Sequence, residues 1–257
     1  MKIWHMSGAG NDFMVMDARG GRYDLERLAV ELCKLTGTDG FMALDSSRIA
    51  DFRLHFYNSD GSRGELCGNG SRCICRFAFD NGIAGETMTI ETDAGLAHGW
   101  RLAENMVRVQ LPAPGPVRLD YAEDVDYVEV GCPHAVRQYS GDLWANRDGL
   151  KPQMEALRHD PVFPKGSNVD YFTWLDEKTV RILTFERGVE DFTLACGTGT
   201  GAVAAVLWAR GQLPGGRLTV ENPGGTLYVT LEGQHGAVRK LLLEGPADVV
   251  NIYDMEI

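Results

Sequence analysis

Apolar residues along this chain fall into two periods, and the switches between them mark its elements. Leu25, Leu28, Ala29, Leu32 and Leu35 recur at helical spacing between Asp24, whose carboxylate can cap a helix start, and Gly37, which can stop one. They predict an early helix with Cys33 in its apolar face. From Ala202 to Ala209 the chain is apolar on every side before Arg210-Gly211 ends the run, which predicts a helix enclosed by its own domain. Ser71 to Asp80 predicts another helix, with Arg72 and Arg76 on one face and a close at Asn81-Gly82. Elsewhere two-residue alternation dominates, as in Arg53 to Asn58, Met106 to Leu111, Arg181 to Glu186 and Leu227 to Leu231, with Gly, Pro or Asn between segments, which predicts strands in antiparallel hairpins.

The pattern repeats. Cys67-Gly68-Asn69-Gly70 returns 129 residues later as Cys196-Gly197-Thr198-Gly199, each opening a helix-like run. Thr89-Ile90-Glu91-Thr92-Asp93-Ala94-Gly95 is answered by Thr219-Val220-Glu221-Asn222-Pro223-Gly224-Gly225, and the strand at Arg53 by the strand at Arg181, at nearly the same offset. An internal duplication of about half the chain explains all three, since one doubling of this length makes two similar domains, whereas solenoid repeats are far shorter. The expected fold is α/β: two pseudo-symmetric domains, each a curved, mostly antiparallel sheet wrapped around a central helix. Pro112-Ala113-Pro114-Gly115-Pro116 is the natural boundary, giving 1–113 with the first Cys-Gly-x-Gly and 114–249 with the second. A cleft between such halves would bring their equivalent loops together.

Composition narrows the function. A chain of 257 residues, 44% hydrophobic and 24% charged, is globular in character, and a net charge of −11 without clustered Lys and Arg argues against nucleic acid or an anionic membrane as partner. A small molecule is the expected ligand. Neither a signal-type leader nor a run of about 18 apolar residues is present, so the protein is expected to be cytoplasmic. Its six cysteines are then expected to be thiols. Cys73 and Cys75 form only Cys-x-Cys, which falls short of a zinc site, and no metal is expected.

A cysteine at a helix start sits beside unpaired backbone N–H groups and the positive end of the helix dipole, which favours its thiolate. Glycine-flanked N–H groups there can also hold a carboxylate. Two such starts on one ligand would set a thiolate on one side of a carbon and a thiol on the other, and removing a proton from one face while returning one to the opposite face inverts that carbon. One Cys-Gly-x-Gly alone is weak evidence, because cysteine is often only a small buried residue. Two copies in a duplicated frame say more. A rival reading takes Gly197-x-Gly199-x-x-Ala202 with Glu221 as a dinucleotide fingerprint, but the hairpin-like strands around it are not βαβ units.

Several blocks in order resemble one family: Met6-Ser7-Gly8-Ala9-Gly10-Asn11-Asp12-Phe13, Asn58-Ser59-Asp60-Gly61-Ser62, Cys67-Gly68-Asn69-Gly70, Phe163-Pro164-Lys165-Gly166-Ser167-Asn168-Val169, Glu186-Arg187-Gly188-Val189 and Cys196-Gly197-Thr198-Gly199-Thr200. The chain is similar to the diaminopimelate epimerases over nearly its whole length. The resemblance implies epimerisation of LL- to meso-diaminopimelate without pyridoxal phosphate, metal or other cofactor, on the path to lysine and peptidoglycan. It implies that a C-terminal segment, residues 250–257, returns to the first domain, and it leaves a homodimer open.

By the same resemblance Cys67 and Cys196 are the acid/base thiols, with His134 and Glu186 supporting them. Gly68, Asn69, Gly197 and Thr198 would hold the carboxylate at the reacting centre, and Asn11, Asn58, Asn168, Glu186 and Arg187 the remaining groups of a zwitterionic substrate. His5, His55, His98, His159 and His235 receive no role. Two departures stand out. Gly131-Cys132-Pro133-His134 has a thiol where the family usually has an asparagine, and the loop from Glu186 to Cys196, containing Glu190-Asp191-Phe192, is one residue longer than usual. The alternatives are a racemase of another amino acid, histidine or a hydroxyproline for example, and, in a different class, a non-catalytic amino-acid-binding protein.

Overall fold

A computed structural model describes residues 1–64, 67–234 and 237–255. His235 and the last two residues of the expected returning segment lie outside the described residues. The chain divides into two compact units, residues 1–110 with 244–257, and residues 111–243.

In the first unit, β1 (Lys2–Gly8), β2 (Asn11–Asp17), α1 (Leu25–Thr36), β3 (Gly40–Asp45), β4 (Phe52–Asn58), α2 (Gly68–Asp80), β5 (Thr87–Thr92), β6 (Gly95–Arg101) and β7 (Met106–Leu111) follow in order. The last strand, β17 (Asp248–Asp254), pairs antiparallel with β1. Pairing is antiparallel for β1–β2, β3–β4, β5–β6 and β6–β7, and parallel for β2–β3 and β4–β5. α1 starts where the sequence places it: the Asp24 carboxylate accepts the Arg27 N–H, and Gly37, at φ 72°, returns its N–H to the Cys33 carbonyl. Its apolar stripe is narrower than the spacing suggests, because Leu35 is 70% exposed while Leu28, Ala29, Leu32 and Cys33 are buried.

α2 is the central helix of this unit and packs on β1, β2, β3 and β6. Arg72, on the face it shares with Arg76, is part of the core. Its guanidinium is fully buried, donating from Nε to the Pro246 carbonyl and from Nη1 to the Gly68 carbonyl, while Arg76 donates to the Ala247 carbonyl. The two arginines thus hold the chain just before β17 against α2.

The second unit repeats the plan with β8 (Arg118–Ala122), β9 (Val125–Val130), β10 (Cys132–Gln138), α3 (Arg147–Arg158), β11 (Asn168–Asp176), β12 (Thr179–Glu186), β13 (Asp191–Phe192), α4 (Gly197–Ala209), β14 (Arg217–Asn222), β15 (Gly225–Gln234) and β16 (Ala237–Pro246). Here β9–β10, β11–β12 and β14–β15 are antiparallel, and β10–β11 and β12–β14 parallel. α4 packs on β9, β10, β11, β14 and β15 and is buried from Gly199 to Leu207, in keeping with a run apolar on all sides. The mixed α/β architecture expected from the sequence is therefore the one observed, with a sheet around a central helix in each unit.

The duplication extends to single contacts. Arg53 lies beside Glu91 across β4 and β5 and binds it at 2.9 Å, and Arg181 lies beside Glu221 across β12 and β14 and binds it at 3.0 Å. Equal registers make positions comparable between units. Phe13 pairs with Gly40 as His134 pairs with Asn168, and Met42 pairs with Phe56 as Asp170 pairs with Thr184.

Candidate active site

Each cysteine of the repeated motif is the N-cap of its unit's central helix. Cys67 (φ −113°, ψ 121°) accepts the Gly70 N–H at 3.5 Å, and Cys196 (φ −110°, ψ 110°) accepts the Gly199 N–H at 3.4 Å. A sulfur here does what a Ser or Asp side chain usually does at a helix start, taking up one of the first-turn N–H groups. Gly68 and Asn69 in one unit, and Gly197 and Thr198 in the other, form the first turn behind the thiol.

In the first unit, Asn11 opens β2 beside Cys67, with its Oδ1 3.6 Å from the Cys67 sulfur and its Nδ2 donating to Asp39. Asn58 ends β4 and donates to the Ser62 hydroxyl at 2.9 Å. The floor under Gly70 is apolar. A Cβ added there would meet Met42 Sδ at 3.1 Å and the Phe13 ring at 3.4 Å, and Phe13 packs edge-on to Phe56.

The same three positions in the second unit carry His134, Asp170 and Thr184. His134 Nδ1 lies 2.6 Å from Asp170 Oδ2, both side chains fully buried, and Thr184 donates to Asp170 Oδ1 at 2.7 Å. The far ring nitrogen, Nε2, lies 3.3 Å from the Cys132 sulfur. Asn168 points Nδ2 at that sulfur at 3.2 Å, while its Oδ1 accepts the Arg187 N–H at 2.8 Å. Thr198 Oγ1 is 3.8 Å from Cys132 and 3.4 Å from Cys196. So the second unit gathers Cys196, Thr198, Cys132, His134, Asn168 and the Arg187 backbone around one helix start. Glu186 ends β12, where its charge acts on Cys196, and the Arg187 guanidinium binds the Lys165 carbonyl.

Burial sets the electrostatics. It pushes the Cys196 thiol well above the ordinary range, and Glu186 and Asp170 add to this, outweighing the Thr198 and Gly199 hydrogen bonds. The lowering expected from the helix start alone is therefore reversed at Cys196. Burial also opposes charge on His134, but Asp170 prevails and raises the imidazole to about 10. Cys132 shows the opposite balance: burial pushes its thiol up, yet the His134 hydrogen bond and charge, with the Thr198 hydroxyl, bring it below the usual thiol value. Arg72, behind Cys67, is held below its ordinary range by burial, opposed by the charges of Cys73, Cys67 and Cys75.

Asp170 and Thr184 are the site residues that sequence reasoning missed. The available signal was an acid in the middle of an otherwise apolar strand, Asn168-Val169-Asp170-Tyr171-Phe172. Cys73 and Cys75 are buried and unlinked, and no group of three or more His, Cys, Asp or Glu suited to a metal occurs among the described residues. In the loop before Cys196, Asp191–Phe192 form β13, which pairs with the end of β12, after Glu190 turns at φ 57°. A groove of about 550 Å³ lined by Trp174, Lys178, Gln212 and Pro214 contains none of the site residues.

Comparisons with known proteins bear on the family and the fold. The family profile described as diaminopimelate epimerase matches residues 3–113 and 127–250. The diaminopimelate epimerase of Chlorobaculum tepidum is 36% identical over 258 residues, covering 95% of this chain and 97% of its own. Among solved structures, a Bacillus anthracis phenazine biosynthesis protein of the PhzF family matches with a TM-score of 0.77 at 18% identity, over 100% of this chain and 99% of its own. A probable proline racemase from Agrobacterium radiobacter matches with a TM-score of 0.73 at 18% identity, over 100% and 93%. These two share the fold.

Proposed function

This chain belongs to the diaminopimelate epimerase family, and from that premise we propose that it interconverts LL- and meso-diaminopimelate through two thiols, Cys67 and Cys196, with no cofactor. It is an isomerase, and inversion at a carbon needs a proton taken from one face and another given to the opposite face. The observation that carries the reading is the matched pair of N-cap thiols, each on the helix start of one half of a duplicated chain. The first-turn N–H groups at Gly68-Asn69 and Gly197-Thr198 are suited to the substrate's α-carboxylate.

The two thiols differ in charge preference. Cys196 faces Glu186 and Asp170, which favour its protonated form, whereas Cys67 has the buried Arg72 cation behind it. Coupled acid/base chemistry calls for such a difference in surroundings between its acid and its base. Asn11, Asn58, Asn168, Glu186 and Arg187 are assigned to the amino and carboxylate groups of the substrate.

The test is α-hydrogen exchange from LL-diaminopimelate in heavy water, with a chiral assay of the product. Cys67→Ala and Cys196→Ala should each lower inversion by about a hundredfold or more while the protein stays folded, since general acid/base groups contribute roughly 10²–10⁴. Cys33→Ala should leave the rate unchanged. Near-normal inversion in either variant of the pair sinks the two-thiol mechanism. Cys132 favours a second reading, a racemase of another amino acid on the same scaffold, and efficient turnover of another L-amino acid with none of diaminopimelate would establish it.

A further inference from the structure

Cys132 is a thiol that the two-thiol mechanism does not use, and three groups able to donate a hydrogen bond converge on its sulfur. The Asn168 amide is fixed in orientation, because its oxygen accepts the Arg187 N–H, so the group 3.2 Å from Cys132 is the NH₂ and can only donate. The Thr198 hydroxyl approaches at 3.8 Å. His134 Nε2 approaches at 3.3 Å, and its other nitrogen is committed to the Asp170 carboxylate. An anionic sulfur can accept from all three, whereas a neutral thiol would spend its own hydrogen on one of them and leave the rest weakly satisfied.

From this sulfur a continuous path runs to Cys196. One hydroxyl, Thr198 Oγ1, lies within hydrogen-bonding reach of both thiols. A hydroxyl has one hydrogen to give and lone pairs to accept with, so it can donate to Cys132 while accepting from Cys196.

We propose that Cys132 and Cys196 share one proton, exchanged through the Thr198 hydroxyl and backed by the His134–Asp170 pair, so that Cys132 is a positioning residue that sets the charge state of Cys196. In the step, the Thr198 O–H bond breaks as an S–H bond forms on Cys132, and the Cys196 S–H bond breaks as Thr198 regains its hydrogen. One proton moves from Cys196 to Cys132, one negative charge moves the other way, and nothing is oxidised or reduced. This gives Cys196 access to its thiolate although Glu186 on β12 and Asp170 on β11 oppose it. His134 on β10 is the cation of the cluster. The first unit has no such reserve, since Phe13, Met42 and Phe56 occupy the equivalent positions.

The proposal rests on Cys196 being a working thiol, and the experiment separates the two. Iodoacetamide labelling of Cys196, read by peptide mass spectrometry from pH 5.5 to 10, needs no turnover. Two groups sharing a proton titrate as a pair. In the wild type, Cys196 labelling should therefore reach a plateau below the ordinary thiol range, about 8.5. In Cys132→Asn and Cys132→Ser the plateau should vanish, with labelling rising only toward the higher pH of Cys196 alone, and the acid limb of kcat/KM should move up by about one pH unit or more. Labelling of Cys67 should not change. Thr198→Val should lower kcat about tenfold or more, and Thr198→Ser should restore most of it, as expected of a proton-transferring hydroxyl. An unchanged Cys196 profile in folded Cys132 variants overturns the shared proton, and a Thr198→Val enzyme with wild-type kcat overturns the route. Near-normal inversion by Cys196→Ala overturns the two-thiol reading instead, whatever the labelling shows.

Discussion

At the residue scale, two buried basic groups, Arg72 and His134, act by charge on the thiols Cys67 and Cys132. Arg72 Nη2 has no hydrogen-bond partner among the described residues, an expensive arrangement for a guanidinium in a core. Arg72→Met should still cost stability, because the Pro246 and Gly68 carbonyls lose their donor, and it should slow alkylation of Cys67 at neutral pH about threefold or more by removing a cation whose charge acts on that thiol, with Cys196 unaffected. An equal Cys67 rate in the two proteins would show that Arg72 is only structural. His134 gives a pH dependence. Its folded value of about 10 lies above the unfolded value of about 6.5, so the folded protein holds this proton more tightly. The stability it contributes is complete below about pH 6.5 and is lost as pH rises through about 10. Thermal melts of the wild type and His134→Gln should converge between these limits as the pH is raised, and a gap that widens with pH would contradict the assignment of a charged His134.

At the scale of elements, the two central helices start alike but stand on different floors, which yields opposite expectations for one substitution. A Cβ at Gly199 would overlap Asp170 Oδ1 and lie 3.3 Å from Thr184 Oγ1. Gly199→Ala must displace a buried charged network and should destabilise the protein by about 1–3 kcal/mol and disturb His134. Gly70→Ala meets a flexible methionine sulfur at 3.1 Å and should cost less. Denaturant titration of both variants decides, and equal losses would contradict this account of the floors. These helices were legible in the sequence because each follows a Cys-Gly-x-Gly and closes at a glycine, with an unbroken apolar run from Ala202 to Ala209 in α4 and a helical run with Arg72 and Arg76 on one face in α2. α3 was not legible: Gly149 and Pro152 interrupt it, and only Leu150 and Met154 are buried. Nor was the burial of Arg72, since period alone assigns an arginine to water, and only the return of Pro246 over α2 explains its place. The register that sets Asp170 and Thr184 under Gly199 depends on strand pairing, which alternation does not specify.

For the whole molecule, the duplication was readable from offsets in the sequence, and its strongest structural echo is the repeated Arg–Glu pair at Arg53–Glu91 and Arg181–Glu221. The halves kept the helix-start thiol and diverged around it, one toward an apolar floor with a buried arginine, the other toward a histidine–aspartate pair with an additional thiol. Divergence of this kind is what a symmetric scaffold needs if its two thiols are to play different parts at one carbon. It also predicts which thiols meet on oxidation. The proposed two-thiol mechanism requires both Cys67 and Cys196 to reach a single α-carbon, and a disulfide forms only where α-carbons come within about 7 Å. Mild oxidation should therefore stop inversion through a Cys67–Cys196 disulfide that dithiothreitol reverses, and saturating substrate should slow its formation by occupying the space between the sulfurs. Peptide mapping under non-reducing conditions provides the measurement. Inactivation that tracks a Cys132–Cys196 peptide, with Cys67 still free, would show instead that the additional thiol captures Cys196 first. Inactivation with no crosslinked peptide at all would count against the two helix starts ever sharing a substrate.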